Sequence, residues 1–124
     1  MHGRFDPVDA AIAAYNARDV EAFLACFDPH CVTEDGENKR LMAGRAEMRM
    51  RYQSLFDNSP NLHCEIIHRK RVGEYVVTEE SFRGFLPGTH IKLTREVCIY
   101  RIDRVTGLIA NMRFLRDPDW NTEA

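Results

Sequence analysis

The sequence predicts an α+β fold, three N-terminal helices packed on one curved antiparallel sheet, and three observations carry that prediction. Apolar residues recur at helical spacing through the N-terminal half, as at Val8, Ala11, Ile12 and Tyr15. From Leu62 onward four long segments of β character are parted by Gly73-Glu74, Pro87-Gly88 and Thr106-Gly107. Turns this short join neighbouring strands that run in opposite directions, which makes the sheet antiparallel.

Asp6-Pro7-Val8-Asp9 reads as a helix start. Asp6 caps free backbone N–H groups, Pro7 suits the first helical position, and Asp9 sits at the positive end of the dipole. This helix is expected to end near Ala17. Asp19 then caps a second one that carries Val20, Phe23, Leu24 and Phe27 on one face and is stopped by Asp28-Pro29. Cys31 to Asp35 is predicted as a short strand, followed by a polar turn from Asp35 to Lys39 and the apolar pair Leu41-Met42. A third helix begins at Gly44 with Met48, Tyr52, Leu55 and Phe56 inward and Arg45, Glu47, Arg49 and Arg51 wet. Asn58-Ser59-Pro60-Asn61 ends it. The four strands then run from Leu62 to Val72, Tyr75 to Phe85, His90 to Asp103 and Leu108 to Leu115. Beyond Arg116 a tail opens, and its Trp120 is expected to pack on the domain or on a second subunit.

With 124 residues, 44% of them apolar and 29% charged, the chain fits one domain that builds its core without metals or disulfides. The expected core covers about residues 5 to 116, with a tail over 117–124. Lys and Arg number 17 against 19 Asp and Glu, a net charge of -2, so the basic surplus that a phosphate backbone demands is missing and nucleic acid is not an expected partner. No run approaches the ~18 apolar residues of a membrane span, and the N-terminus has no apolar signal core, so no membrane is expected and the location is read as cytoplasmic. Cys26, Cys31, Cys64 and Cys98 show no CxxC spacing and read as buried free thiols of a reducing compartment. A metal site is not expected either, because His63 and His68 point to opposite faces of one strand.

The stretch from Tyr15 to Asp35 is the most informative chemically. Two short amphipathic helices run into a strand that ends on Asp35, where a small domain can hold one acid in an apolar cavity. In such surroundings a carboxylate titrates nearer neutral pH and suits the work of a general base. The other reading is a solvated turn acid beside Glu34 and Gly36.

The order of elements, together with AYNARDVEAFLACF, a strand ending in Asp at VTED, and GRAEMRMRY, resembles the nuclear transport factor 2-like superfamily. Within it the likeness is to ketosteroid isomerase and the related steroid isomerase-like and polyketide cyclase-like proteins. The resemblance implies a cystatin-like cone with an internal cavity, a homodimer, and a small apolar metabolite as partner. It also implies cofactor-free isomerase, dehydratase or cyclase chemistry next to a carbonyl, or a non-catalytic binding or interaction module on the same scaffold. Asp35 falls at the family's general-base position. The family's oxyanion donors fall on Ala11 and Cys98, which cannot serve, and Tyr52 matches a supporting tyrosine while Tyr15 lies one turn beyond the expected place. Either phenol is therefore a candidate substitute donor. The implied lining of the cone is Ile12, Phe23, Phe27, Met48, Cys98, Tyr100, Met112 and Phe114. Epoxide-hydrolase relatives carry an Arg and an Asp where this chain has Ser81 and Arg83.

Two more acids compete for the cavity. In the strand from Tyr75, period two leaves Val77, Glu79 and Ser81 or Val76, Thr78 and Phe82 inside, and the family alignment turns Glu79 inward. Cross-strand pairing with nearby arginines is the other reading for Glu79. On the next strand Thr94, Glu96, Cys98, Tyr100 and Ile102 share a face, which the alignment turns to the pocket. Two acids in one dry cavity shift each other's titration, and one can stay protonated as a donor. The resulting catalytic set is Asp35 as base, with Glu96, Tyr52 or Tyr15 giving the hydrogen bond. For Glu96 the other reading is an ion pair with Arg95, Arg113 or a subunit neighbour. His68 and His90 are further candidates for the cavity wall, and Phe82, Phe85 and Val97 for an apolar outer face that pairs two subunits.

Overall fold

The computed structural model describes residues 6–85 and 93–116, so the Pro87-Gly88 turn, His90 and Trp120 lie outside the described residues. Helix α1 spans Pro7–Ala17 and α2 spans Val20–Leu24, and both carry the caps read from the sequence. The Asp6 carboxylate accepts from the Val8 amide at 2.8 Å, and Asp19 accepts from the Ala22 amide at 3.1 Å. Helix α2 stops three residues short of the expected Phe27, which instead opens strand β1, Phe27–Asp35. This strand runs through Pro29. Its pairing with the last strand breaks between Phe27 and Val32, so the proline nitrogen, which has no hydrogen to give, meets no ladder bond there.

Leu41 and Met42 belong to a strand of their own, β2, Arg40–Ala43, antiparallel to β1. Helix α3, Gly44–Asn58, starts where Glu47 accepts the amide of the N-cap residue Ala43 at 2.9 Å, a closure from one side only because alanine has no side-chain acceptor to return it. Arg45, expected in water, is half-buried because its Nε donates to the Phe27 carbonyl at 3.0 Å and ties α3 to β1. The remaining strands are β3, His63–Val72, β4, Tyr75–Arg83, β5, Leu93–Ile102, and β6, Ile109–Leu115.

All six strands form one sheet in the order β2-β1-β6-β5-β4-β3. The ladders from β3 to β6 are antiparallel, as the hairpin turns require. The pairing of β1 with β6 is parallel, which makes the sheet mixed. No turn connects these two strands, so nothing local sets their direction. Register shifts within β3 at Ile66/His68 and opposite β6 at Arg101/Ile102 add to the curvature of the sheet.

The helices cover the concave face, where Leu24, Phe27, Met48, Leu62 and Ile109 are almost fully buried. Asn16 holds α1 against the edge strand β3, donating to the Cys64 carbonyl at 2.9 Å and accepting the Cys64 amide at 2.7 Å. All four cysteines are buried and free. Among the described residues no helix is long and apolar enough to cross a membrane.

Candidate active site

Between the helices and the curved sheet lies a cavity of about 1130 Å³. Small-molecule sites run to roughly 300–1,000 Å³, so a ring compound fits. Helices α1, α2 and α3 supply Ile12, Tyr15, Phe23 and Tyr52 to its wall, and the strands supply Phe27, Phe82, Tyr100, Met112 and Phe114. The rings pack edge to face or tilted, with centroids 4.6 Å apart for Phe23 and Tyr52 and 5.8 Å for Tyr15 and Phe82. Two of the apolar residues expected in the wall are not part of it. Met48 is buried in the core, and Cys98 sits behind Glu96 with its Sγ 3.9 Å from Oε1.

Strand β4 corrects the sequence reading at Glu79. Val76, Thr78, Glu80 and Phe82 are the buried positions, so Glu79 faces outward and pairs with Arg95 at 3.1 Å. A separate hollow on the outer face is lined by His68, Val77, Glu79 and Val97 among others, which places His68 away from the cavity. Phe82 and Phe85, expected on that outer face, line the cavity instead. Glu80 finds its partners on β4 itself and on both neighbouring strands. Glu80, 1% exposed, accepts at Oε2 from Thr78 Oγ1 and from Tyr100 Oη, each at 2.6 Å, and Cys64 Sγ lies 3.6 Å from Oε1.

Glu96 stands directly opposite Glu80 across the β4–β5 ladder and also lines the cavity, at 3% exposure. Arg116, just past β6, donates to its Oε2 from Nε at 2.6 Å and from the neighbouring guanidinium nitrogen. Burial pushes the Glu96 carboxyl above its usual range; the Arg116 charge opposes this, and the nearby Glu80 adds to it. Neither Arg95 nor Arg113 is its partner, because Arg113 turns to Glu34 on the other face.

Tyr15 and Tyr52, 6% and 8% exposed, line the same cavity, and neither phenol oxygen has a hydrogen-bond partner among the described residues. Burial raises both phenols well above their ordinary value, with each carboxylate of the Glu80–Glu96 pair adding to the rise. They stay neutral and keep a proton to donate.

Asp35 does reach the cavity, but at its rim. Strand parity turns it to the same side as Cys31 and Thr33, yet it is the last residue of β1 and its Oδ1 is caught by the turn that follows. The Lys39 and Glu37 amides donate to that oxygen at 3.0 and 2.9 Å and hold the carboxyl below its ordinary value. A base poised near neutrality needs the opposite shift.

The structure thus brings together Tyr15, Tyr52 and Glu96 from the expected set, leaves Asp35 at the edge, and adds Glu80 and Arg116. The signal for Glu80 was present in the pattern, since Thr78 and Phe82 flank it at period two. Arg116 gave none, because its place depends on the chain direction after β6.

A family model for the SnoaL-like domain matches residues 8–112. Among solved structures, a cystatin-fold protein from Novosphingobium aromaticivorans superposes with a TM-score of 0.82 at 22% identity, covering 94% of this chain and 100% of that one. A protein of ketosteroid isomerase-like fold from Catenulispora acidiphila, in complex with trimethylamine, gives 0.77 at 18% identity over 94% and 88% of the two chains. An LEH-like epoxide hydrolase from M. tuberculosis gives 0.77 at 17% identity over 93% and 83%. At such identities the likeness to these structures concerns the fold. No curated protein matches the chain.

Proposed function

This chain belongs to the SnoaL-like domain family of the nuclear transport factor 2-like superfamily, and from that premise we propose that it is a small acid–base enzyme acting next to a carbonyl of a mainly apolar compound. The observation that carries the reading is the pair of buried carboxylates opposite each other at an aromatic cavity also lined by two phenols that have no hydrogen-bond partner among the described residues.

In this reading Glu96 is the base. Its affinity for a proton is raised, the direction a general base requires, whereas Asp35 is shifted the other way. Glu96 takes a proton from the carbon beside the carbonyl, the electron pair moves into an enolate, and the oxygen is held by Tyr15 or Tyr52. Return of the same proton to another carbon completes an isomerisation. A preorganised donor of this kind is worth ~3 kcal/mol, or 10² to 10³ in rate. Arg116 positions the Glu96 carboxylate, and Glu80 supports its raised proton affinity.

The test is exchange of α-carbon protons for deuterium in a panel of cyclic enones, followed by NMR, with wild type, Glu96→Gln, Glu80→Gln and Asp35→Asn. Loss in Glu96→Gln with Asp35→Asn active supports the assignment. Loss confined to Asp35→Asn returns the chemistry to the rim.

A second reading, binding without turnover, is supported by the number of donors that already engage Glu80. Saturable binding of the panel with no exchange in any protein would select it. The homodimer remains a proposal as well, to be checked by the mass of the chain in solution.

A further inference from the structure

The deep end of the cavity is out of electrical balance. Among the described residues the charged lining of the whole cavity is Asp35, Glu37, Glu80 and Glu96 against Arg51 and Arg116, and Glu80 and Glu96 are the buried acids of that set. Arg116 is committed to Glu96, with which it makes two hydrogen bonds. Among the described residues Glu80 pairs with no cation: its three hydrogen-bond partners there are the Thr78 hydroxyl, the Tyr100 hydroxyl and the Cys64 thiol, all neutral. A carboxylate has about four acceptor positions, so one is left for an incoming donor. Glu80 and Glu96 also face each other on adjacent strands, where like charges destabilise each other.

Two further features favour a cation. The aromatic rings of Tyr15, Phe23, Tyr52 and Phe82 line the cavity, and a desolvated cation against an aromatic face gains more than one in water. Independently, Tyr15 and Tyr52, each more than nine-tenths buried as a residue, line the cavity and have no hydrogen bond to another described residue, so each has a hydroxyl oxygen to offer an incoming N–H.

We infer that the ligand of this cavity is a lipophilic organic cation, a protonated amine on an apolar frame, with its nitrogen at Glu80 and its carbon skeleton against the aromatic wall. This rests on the reading of the cavity as the ligand site and adds the sign of the ligand's charge. A carboxylate of the same shape is repelled by the unpaired acid, and a neutral alcohol leaves that acid without a counter-charge.

The experiment compares three ligands with one carbon cage, 1-adamantylamine, 1-adamantanol and 1-adamantanecarboxylate, by calorimetry at pH 7 in low salt. The amine is expected to bind roughly tenfold or more tighter than the alcohol, with the carboxylate weakest. In Glu80→Gln that preference should fall to near unity, while Glu79→Gln on the outer face should keep it. Equal or tighter binding of the alcohol by the wild-type protein overturns the cation proposal and leaves the cavity as a ligand site. Binding of none of the three overturns both. Should Glu80→Gln fail to fold, the wild-type ranking alone decides, and the proton-exchange assay above reads the catalytic proposal separately.

Discussion

Glu80 and Glu96 face each other across the β4–β5 ladder, both turned into the cavity and both all but removed from water. Burying two like charges side by side is costly unless each is compensated. The compensation is unequal. Neutral hydroxyls and a thiol surround Glu80, whereas a guanidinium from beyond β6 meets Glu96.

The raised proton affinity of Glu96 sets a pH dependence of stability. Between its ordinary 4.5 and its higher folded value the native protein binds more protons than the unfolded chain, so stability falls as pH rises through that window. Melting temperatures taken from pH 4 upward should show this decline, and Glu96→Gln should flatten it. Arg116→Ala should extend the decline to higher pH, because the charge that opposes the shift is gone. An unchanged profile in Glu96→Gln would assign the pH dependence to other groups.

Two tyrosines of one cavity should respond differently to loss of the hydroxyl. Tyr100→Phe removes a 2.6 Å hydrogen bond to a buried carboxylate and is expected to cost about 1.5–3 kcal/mol in denaturant unfolding. Tyr52→Phe removes an oxygen with no partner among the described residues and should change stability by less than about 0.5 kcal/mol. On the catalytic reading the second variant nonetheless slows proton exchange.

At Asp35 the structural role is separable from any chemistry. Asparagine keeps an oxygen for the Glu37 and Lys39 amides, so Asp35→Asn should hold the turn, whereas Asp35→Ala should lower the melting temperature. Since its carboxyl is held below the ordinary value, its stabilising effect is present above pH 3.8 and is lost as pH falls through the folded value. Equal melting of the Asn and Ala variants would remove the turn-holding role.

Gly84 and Gly73 share the left-handed backbone with different surroundings. At Gly84, φ is 80° and an added Cβ would fall 1.9 Å from the Asn61 carbonyl oxygen, so Gly84→Ala should cost more than about 2 kcal/mol through displaced backbone. Gly73 has φ 60° and nothing within 4 Å, so Gly73→Ala should lose only about 1 kcal/mol from conformation. Denaturant midpoints of the two variants check the contrast.

Where the sequence was legible, one face or one cap decided the matter. Asp6 and Asp19 announced their helices through side chains that act within a few residues, and alternation grouped Thr94, Glu96, Cys98 and Tyr100 on one face of β5, which the family resemblance turned inward, as the burial pattern has it. Strand β4 resisted because Glu79 and Glu80 stand on opposite faces with similar neighbours, and only Tyr100, Thr78 and Cys64 tell them apart. Asp35 looked like a buried acid since strand parity was right. What parity does not contain is the turn of the next four residues, whose amides engage it. The parallel direction of β1 and β6 was hidden for a similar reason, as no hairpin joins them.

That parallel seam has a kinetic corollary. Asn111 donates to the Val32 carbonyl from 79 residues away, and the Ile109 amide reaches the Cys26 carbonyl. Closing so large a loop must precede any gain from the contact, which slows folding. On the ribosome, β1 therefore waits with an open edge until the last strand emerges, and a nascent chain halted before Ile109 is a natural client for chaperones.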